Sequence, residues 1–442
     1  MRDHLCIKNN HLFIDELDTV ELAEKYGTPL FVTSATRVKK NFDDFRKAFP
    51  DAEIYYAAKA NWNMAILRLL AKRGAGADVF SDGELYVALK AGIPREKILF
   101  NGNSKSDEEL RMAVEEGVRV SVDSIDELKA LSEIASESGR EVEIAFRVNP
   151  DISAKTHPKI ATGLKQSKFG IPHEEIKKAY ELALKLPGVV PKGIHCHIGS
   201  QILELSPFRE MMEKMMDIAE EVIELGVELE FVDIGGGLGI PYTTVLFHER
   251  FTERMCGLGS VEVEADIPTP YDLAKTVLPI FEERRAEMKE DFKLILEPGR
   301  YIVGDSTVLL SRVNAVKRAY KNFVAIDAGF NLLIRPVLYD AYHEILVANK
   351  AGLPPEETYD IVGPICESGD IMGRNRRLPK VERGDLIAIL DAGAYGFSMS
   401  SQYNGRRRAA EVLVEGKRAE IIRERESYED LIRNMRIPED LL

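Results

Sequence analysis

The feature that most constrains this chain is an eightfold alternation of short apolar runs with longer amphipathic stretches between Glu53 and Glu297. Eight strand–helix units within about 250 residues are typical of a closed parallel (β/α)8 barrel. A doubly wound open sheet has the same alternation, and counting alone leaves it open. The apolar runs occupy 54–58, 77–80, 98–100, 118–122, 142–148, 193–198, 229–234 and 294–297, and the helical patterns occupy 36–48, 63–72, 83–90, 107–116, 125–137, 174–185, 208–225 and 271–289.

The pattern changes after Arg300, where short strand-like runs alternate with turn sequences such as Asp-Ala-Gly at 327–329 and again at 391–393. Such punctuation is typical of antiparallel sheets. We therefore predict an α/β fold, with a TIM-like barrel over residues 36–303 and a mostly antiparallel β domain formed by residues 1–35 and 304–442. The predicted strands of the β domain are 6–8, 12–14, 30–33, 308–316, 323–327, 358–362, 386–390, 411–414 and 419–423.

Composition excludes several classes of function. The 442 residues carry a net charge of −14, which disfavours binding to nucleic acid or an anionic membrane through the overall field. No apolar run approaches 18 residues, and the charged N-terminus does not resemble a signal peptide. The four cysteines are far apart, which favours a reducing compartment over a disulfide framework or a zinc knuckle. We predict a cytoplasmic protein with no nucleic-acid or membrane partner.

The reactive groups of a barrel lie where its strands end, so the residue after each run is informative. Lys59 follows the first run. A lysine at a barrel mouth is partly desolvated, which favours the neutral amine that condenses with an aldehyde. The alternative is a strand-end lysine that simply reaches solvent.

The sixth and seventh runs end in sequences suited to binding an anion or a ring. His195 and His197 share one face of a strand, so they could form a metal pair, or one ring could stack on a ligand beside the Gly-Ser turn at 199–200. Three glycines, 235–237, follow the seventh run and could bring backbone N–H groups close to a phosphate.

The eighth run ends in Glu297-Pro298-Gly299-Arg300. A carboxylate here could keep a pyridine nitrogen protonated, which makes the ring a stronger electron sink. The alternative is a buried ion pair between Glu297 and Arg300. Taken with Lys59 and the phosphate loops, the set predicts pyridoxal 5′-phosphate as cofactor and no metal.

These motifs together resemble those of the alanine-racemase-type barrel decarboxylases that use pyridoxal phosphate, and in particular the diaminopimelate decarboxylase family. The similarity covers nearly the whole chain. It includes 56–61, 78–85, 162–164 with 168–170, 195–201, 235–242, 297–301, 335–339, 366–370 and 393–396.

The resemblance implies a role for each matching residue. Lys59 would bind the cofactor covalently and Cys366 would be the proton donor, reaching the site from the neighbouring subunit of a homodimer. The other cofactor-binding residues would be Asp78, His197, Ser200, Gly235, Gly236, Gly237, Glu297, Gly299, Arg300 and Tyr395, and the substrate-binding residues would be Arg300, Arg335, Tyr339, Glu367 and Tyr395.

The implied reaction is decarboxylation of meso-2,6-diaminopimelate to L-lysine and carbon dioxide. Arg335 suits a distal carboxylate because a planar guanidinium can form two parallel hydrogen bonds with it. The alternatives are a decarboxylase of another basic amino acid or of carboxyspermidine, a non-catalytic cofactor-binding homologue, and a zinc hydrolase using His195 and His197. The segment 243–267 is longer than is usual in the family and is predicted to be a surface insertion of unknown role.

Overall fold

The computed structural model describes residues 3–153, 163, 166–242 and 267–442. The predicted insertion at 243–267 lies outside these residues except for Ile267. Strands are numbered β1 to β21 in chain order. Their bounds are Leu5–Lys8, His11–Ile14, Leu17–Asp18, Leu30–Ser34, Glu53–Ala57, Gly76–Val79, Ile98–Phe100, Arg119–Val122, Val142–Asn149, Ile171–Pro172, Val189–Cys196, Phe231–Asp233, Lys293–Leu296, Thr307–Arg318, Asn322–Ile326, Ile345–Val347, Glu357–Val362, Ile371–Leu378, Leu386–Ile389, Ala410–Glu415 and Arg418–Arg423.

The helices alternate with the strands of the first half and are sparse in the second. Their bounds are Thr19–Tyr26, Ala35–Ala48, Met64–Ala71, Asp82–Ala91, Asp107–Glu116, Ile125–Glu137, Ile176–Ala183, Ser206–Glu224, Pro270–Met288, Arg300–Val303, Arg335–Tyr339 and Tyr428–Ile432.

The eight predicted runs form a closed parallel barrel. Strands β5 to β9 and β11 to β13 pair in parallel, and the last of them returns to the first through Ile295 opposite Glu53 and Leu296 opposite Ile54. This closure excludes the open-sheet alternative and confirms the predicted fold class.

The barrel interior is filled by a layer of side chains that comes mainly from alternate strands. Tyr55, Leu99, Ala145 and Phe231 lie on β5, β7, β9 and β12, the first, third, fifth and seventh barrel strands, and form one buried cluster that also includes Ile295. Such layers are the usual packing of this barrel, so its centre is a solid core. Catalytic groups must therefore lie at its end.

Local signals fix where several barrel helices begin and end. The side chains of Ser81, Ser106 and Ser124 each accept a hydrogen bond from the backbone N–H three residues later. Gly92 and Gly117 end two of these helices in the left-handed conformation, where glycine carries no steric penalty. These caps set the lengths of the loops at both ends of the barrel.

The β domain is built around β14. This strand pairs antiparallel with β4, β15 and β19, and β20 adds to β4 in parallel. Strands β1 to β3 form a separate antiparallel sheet, whose Leu12 and Ile14 share a buried core with Val308 and Val412. Antiparallel pairs predominate, as predicted.

Sequence reasoning missed three strands of this domain: the two-residue β3, β16 and β18. The sequence of β18, Ile-Met-Gly-Arg-Asn-Arg-Arg-Leu, has no apolar alternation, and Asn375 within it has a left-handed φ of 51°. The pairing with β17 is irregular, so the period-two pattern that reveals most strands is absent.

Two compact units account for the described residues: 39–240 and 267–302 form one, and 3–38, 241–242 and 303–442 form the other, with 154–162 and 164–165 undescribed in the first. In the described residues, no helix combines the length and apolarity needed to span a bilayer.

Candidate active site at the carboxyl ends of the barrel strands

Lys59 lies in a 3-10 turn, Ala58–Ala60, that directly follows β5. Its Nζ donates to the carboxylate of Asp78 at the end of β6 and lies 5.1 Å from the centre of the Phe80 ring. The Lys59 side chain is 32% exposed, whereas that of Asp78 is completely buried. The amine is thus held by a fixed carboxylate while it remains accessible.

Asn101 connects two carboxylates of this strand end. Its Nδ2 donates to Oδ1 of Asp78 at 2.7 Å and to Oε1 of Glu297 at 2.8 Å. Sequence reasoning missed Asn101, although it directly follows the third run and the strand-end rule could have found it. Its amide links the ends of β6 and β13 across the barrel mouth.

A second network supports Glu297 from the other side. Nε2 of His195 lies 3.4 Å from Oε2 of Glu297, and Nδ1 of the same ring is 2.9 Å from Oγ of Ser121 on β8. Within the described part of the chain, only one group of three or more histidine, cysteine or carboxylate side chains is compact enough to share a cation. It consists of His195, Asp233 and Glu297. His197 is not part of that group, so the structure does not favour the zinc site predicted as an alternative on His195 and His197.

The two buried carboxyl groups of Asp233 and Glu297 differ in protonation state. Burial and the neighbouring Glu297 raise the pKa of Asp233 well above its ordinary value. Burial also acts to raise the pKa of Glu297, but the adjacent His195 and Lys59 outweigh it and hold that pKa below its ordinary value. Since two adjacent carboxyls rarely both ionise without water, Glu297 carries the charge and Asp233 the proton.

His197 follows β11 and faces the glycine loop. Its Nδ1 accepts a hydrogen bond of 3.1 Å from the N–H of Gly236. Burial, together with the nearby Lys59 ammonium, lowers the pKa of His197 well below its ordinary value. The ring is therefore neutral at pH 7, which suits a flat stacking surface.

The glycine loop passes so close to β13 that a side chain would not fit. A Cβ on Gly236 would lie 2.1 Å from the carbonyl oxygen of Glu297. Gly237 has a φ of 109°, which other residues rarely adopt. Both glycines are required by the backbone path, as the sequence predicts for a loop that approaches a ligand.

Ser200 and Arg300 meet beside this loop. The guanidinium of Arg300 donates to Oγ of Ser200 through Nη2 at 2.8 Å and Nε at 3.3 Å. Arg300 is only 6% exposed. A buried guanidinium next to a hydroxyl is a suitable donor pair for an anion such as a phosphate.

The remaining predicted residues lie in the β unit. Cys366 and Glu367 are exposed; Asn404 Nδ2 donates to Cys366 Sγ at 3.1 Å, and the Tyr403 hydroxyl donates to Oε1 of Glu367 at 2.6 Å. Tyr395 has a left-handed φ of 58°, a strained conformation that is common at functional sites.

Arg335 is buried, at 5% exposure, at the start of the helix Arg335–Tyr339. Its guanidinium lies 4.4 Å from the centre of the Tyr242 ring, and its Nη1 is 2.8 Å from Nε2 of His343. Arg335 is therefore not a surface side chain, and the buried His343 is a partner that sequence reasoning missed.

The donor set of the barrel fits pyridoxal 5′-phosphate. Lys59 supplies an amine, and His197 supplies a neutral ring. Glu297 supplies a buried, ionised carboxylate. Arg300, Ser200 and the glycine loop supply N–H and O–H donors. These groups follow four of the barrel strands, β5, β11, β12 and β13, and a small ligand at that end of the barrel can contact all of them.

Comparison with known proteins identifies the family. Residues 35–304 match the family model described as pyridoxal-dependent decarboxylase, pyridoxal binding domain. The diaminopimelate decarboxylase of Archaeoglobus fulgidus is 59% identical over 431 residues, which cover 98% of this chain and 98% of that protein. The chain belongs to the diaminopimelate decarboxylase family.

Other members of the diaminopimelate decarboxylase family agree with this assignment. The protein from Methanothermobacter thermautotrophicus is 45% identical over 98% of this chain and 97% of its own length. The crystal structure of the M. jannaschii enzyme in co-complex with L-lysine has a TM-score of 0.90 and 44% identity, covering 100% of this chain and 99% of that one. The predicted family, fold and pyridoxal cofactor are confirmed.

Proposed function

We propose that this chain decarboxylates meso-2,6-diaminopimelate to L-lysine and carbon dioxide with pyridoxal 5′-phosphate, the last step of lysine biosynthesis. The observation that carries the proposal is the 59% identity to the Archaeoglobus fulgidus diaminopimelate decarboxylase over 98% of both chains. The buried groups around Lys59 and Glu297 supply the chemistry that such a reaction needs.

In this proposal the barrel, over residues 36–303, holds the cofactor. Lys59 binds its aldehyde, His197 covers one ring face, and Ser200, Arg300, Tyr395 and the loops at 235–237 and 299 hold its phosphate. When bound, the cofactor withdraws electrons from the carbon that loses its carboxylate. Asp78 orients the Lys59 amine, and Asn101 ties that carboxylate to Glu297.

Glu297 has the task of keeping a proton on the cofactor ring nitrogen. An ionised carboxylate stabilises a neighbouring cation, and the lowered pKa of Glu297 keeps it ionised across the working range of pH. Its contacts with Asn101 and His195 hold both of its oxygens.

The β domain, over residues 1–35 and 304–442, supplies the substrate contacts in this proposal. Arg335 and Tyr339 bind the distal carboxylate, to which Arg300 also contributes, and Glu367 binds the distal ammonium. Cys366 Sγ then protonates the carbon that has lost carbon dioxide. Asn404 supports this role, because its side chain contacts both Sγ and the backbone N–H of Cys366.

We further propose a homodimer with two composite sites. Exposed Cys366 and Glu367 would reach the barrel of the partner subunit, a role that fits their accessibility. Mixing Lys59→Ala with Cys366→Ala subunits should restore about a quarter of wild-type activity at random exchange. About half of the dimers are then hybrid, and each hybrid keeps one of its two sites intact. No recovery in dimers shown to be hybrid would indicate sites made within one chain.

The proposed location is the cytoplasm. Cys6, Cys196 and Cys366 are free thiols, which fits a reducing compartment.

Substrate profiling of the enzyme loaded with pyridoxal 5′-phosphate tests which amino acid is decarboxylated. Carbon dioxide release should be fastest with meso-diaminopimelate, with L-lysine as the product. Faster turnover of ornithine or arginine would reverse the assignment. Arg335→Ala should reduce diaminopimelate turnover far more than that of a substrate without a distal carboxylate.

A further inference from the structure

The Arg335 guanidinium is held on two sides by residues of its own unit. Tyr242 lies under its face, 4.4 Å from the ring centre, and His343 contacts its Nη1 edge at 2.8 Å. The two rings also pack edge to face, with centroids 5.4 Å apart and an interplanar angle of 70°. The plane of the guanidinium is thereby fixed.

The hydrogen bonds of His343 determine its protonation state. Its Nδ1 lies 2.8 Å from the carbonyl oxygen of Leu390, which can only accept, so Nδ1 carries a hydrogen. Its Nε2 faces a guanidinium, which can only donate, so Nε2 accepts. His343 is thus neutral and in one tautomer, and its ring is completely buried.

We propose that His343 and Tyr242 are positioning residues that set the specificity of Arg335 for a distal carboxylate. This inference rests on the proposed function. Two-pronged binding of a carboxylate requires two parallel N–H groups in a fixed plane. A guanidinium fixed before the substrate arrives loses less rotational freedom on binding, so the substrate is bound more tightly.

Binding of two related amines to the enzyme loaded with pyridoxal 5′-phosphate separates this positioning role from a general loss of structure. L-lysine keeps the distal carboxylate, and 1,5-diaminopentane is the same chain without it. His343→Asn keeps a donor for Leu390 but is too short to accept from Arg335. We expect its dissociation constant for L-lysine to rise about tenfold, with less than about a twofold change for 1,5-diaminopentane.

Three further variants complete the design. His343→Gln places an acceptor nearer Arg335 and should recover part of the lysine affinity. Tyr242→Leu removes the other support and should weaken lysine binding selectively, which keeps the test decisive if His343→Asn does not fold. His4→Leu removes another buried imidazole of the same unit and should leave both affinities unchanged.

The outcomes distinguish the inference from the proposed function. If the wild type prefers L-lysine and the His343 and Tyr242 variants keep that preference, the positioning role is wrong and the proposed function stands. If the wild type shows no preference for L-lysine over 1,5-diaminopentane, recognition of a distal carboxylate is wrong, and both proposals fall.

Discussion

Gly236→Ala tests the close approach of the glycine loop to the last barrel strand. The added Cβ would lie 2.1 Å from the carbonyl oxygen and 2.9 Å from the carbonyl carbon of Glu297. Since optimal contacts are about 3.5 Å or longer, the two backbones must separate by about 1 Å. Overpacking of this kind costs about 1–3 kcal/mol of stability.

The displacement falls on the residue that is proposed to face the cofactor ring. A misplacement of about 1 Å at a reacting centre can lower the rate about 100-fold. We therefore expect the Gly236→Ala dissociation constant for pyridoxal phosphate to rise at least tenfold and kcat to fall. Titration of the apoenzyme with the cofactor, followed by absorbance, measures the first effect directly.

Gly83→Ala is the matched control. Gly83 lies in the first turn of the helix Asp82–Ala91, and its added Cβ would approach nothing closer than Ser81 Oγ at 3.8 Å. This variant should bind the cofactor normally and gain about 0.5–1 kcal/mol of stability. Wild-type cofactor affinity and turnover in Gly236→Ala would refute the argument from close packing.

Three other substitutions address the barrel site. Burial raises the pKa of Glu84 from 4.5 to about 7, so the folded chain binds a proton on Glu84 more tightly than the unfolded chain does. This proton stabilises the folded state fully below pH 4.5, and the stabilisation is lost as the pH rises through 7. Denaturant unfolding of the apoenzyme should show about 3 kcal/mol of this loss in the wild type and none in Glu84→Gln; equal pH dependence would contradict the assignment. Asn101→Ala removes the amide that donates to both Glu297 and Asp78, and cofactor titration should show an affinity for pyridoxal phosphate at least tenfold weaker. Ser200→Ala removes a partner of Arg300 and should weaken binding of pyridoxal phosphate several-fold but not that of unphosphorylated pyridoxal; equal weakening of both would exclude a phosphate contact.

Position at a strand end is what makes several residues of the barrel site predictable from the sequence. Lys59 directly follows a run whose apolar composition predicts a barrel strand, and His197 and Glu297 lie at or next to the ends of two other runs, so their convergence follows from the fold. Asn101 obeys the same rule but carries no charge or reactive group to draw attention. Ser121 lies within β8, and only the register of the closed barrel brings it to His195.

The β domain was less predictable because its contacts depend on tertiary pairing. Arg335 and His343 are eight residues apart, yet their hydrogen bond requires the turn after a five-residue helix. Tyr242 is distant from both in sequence. The Arg-rich strand β18 has no alternating pattern, so its pairing with β17 determines its structure.

Reduction of the holoenzyme with borohydride, followed by peptide mapping, shows which lysine holds the cofactor. We expect one stable pyridoxyl adduct per chain, located on the peptide that contains Lys59 and absent from Lys59→Ala. An adduct on a different lysine, or bound cofactor that leaves Lys59 unmodified, would show that Lys59 does not bind the cofactor covalently.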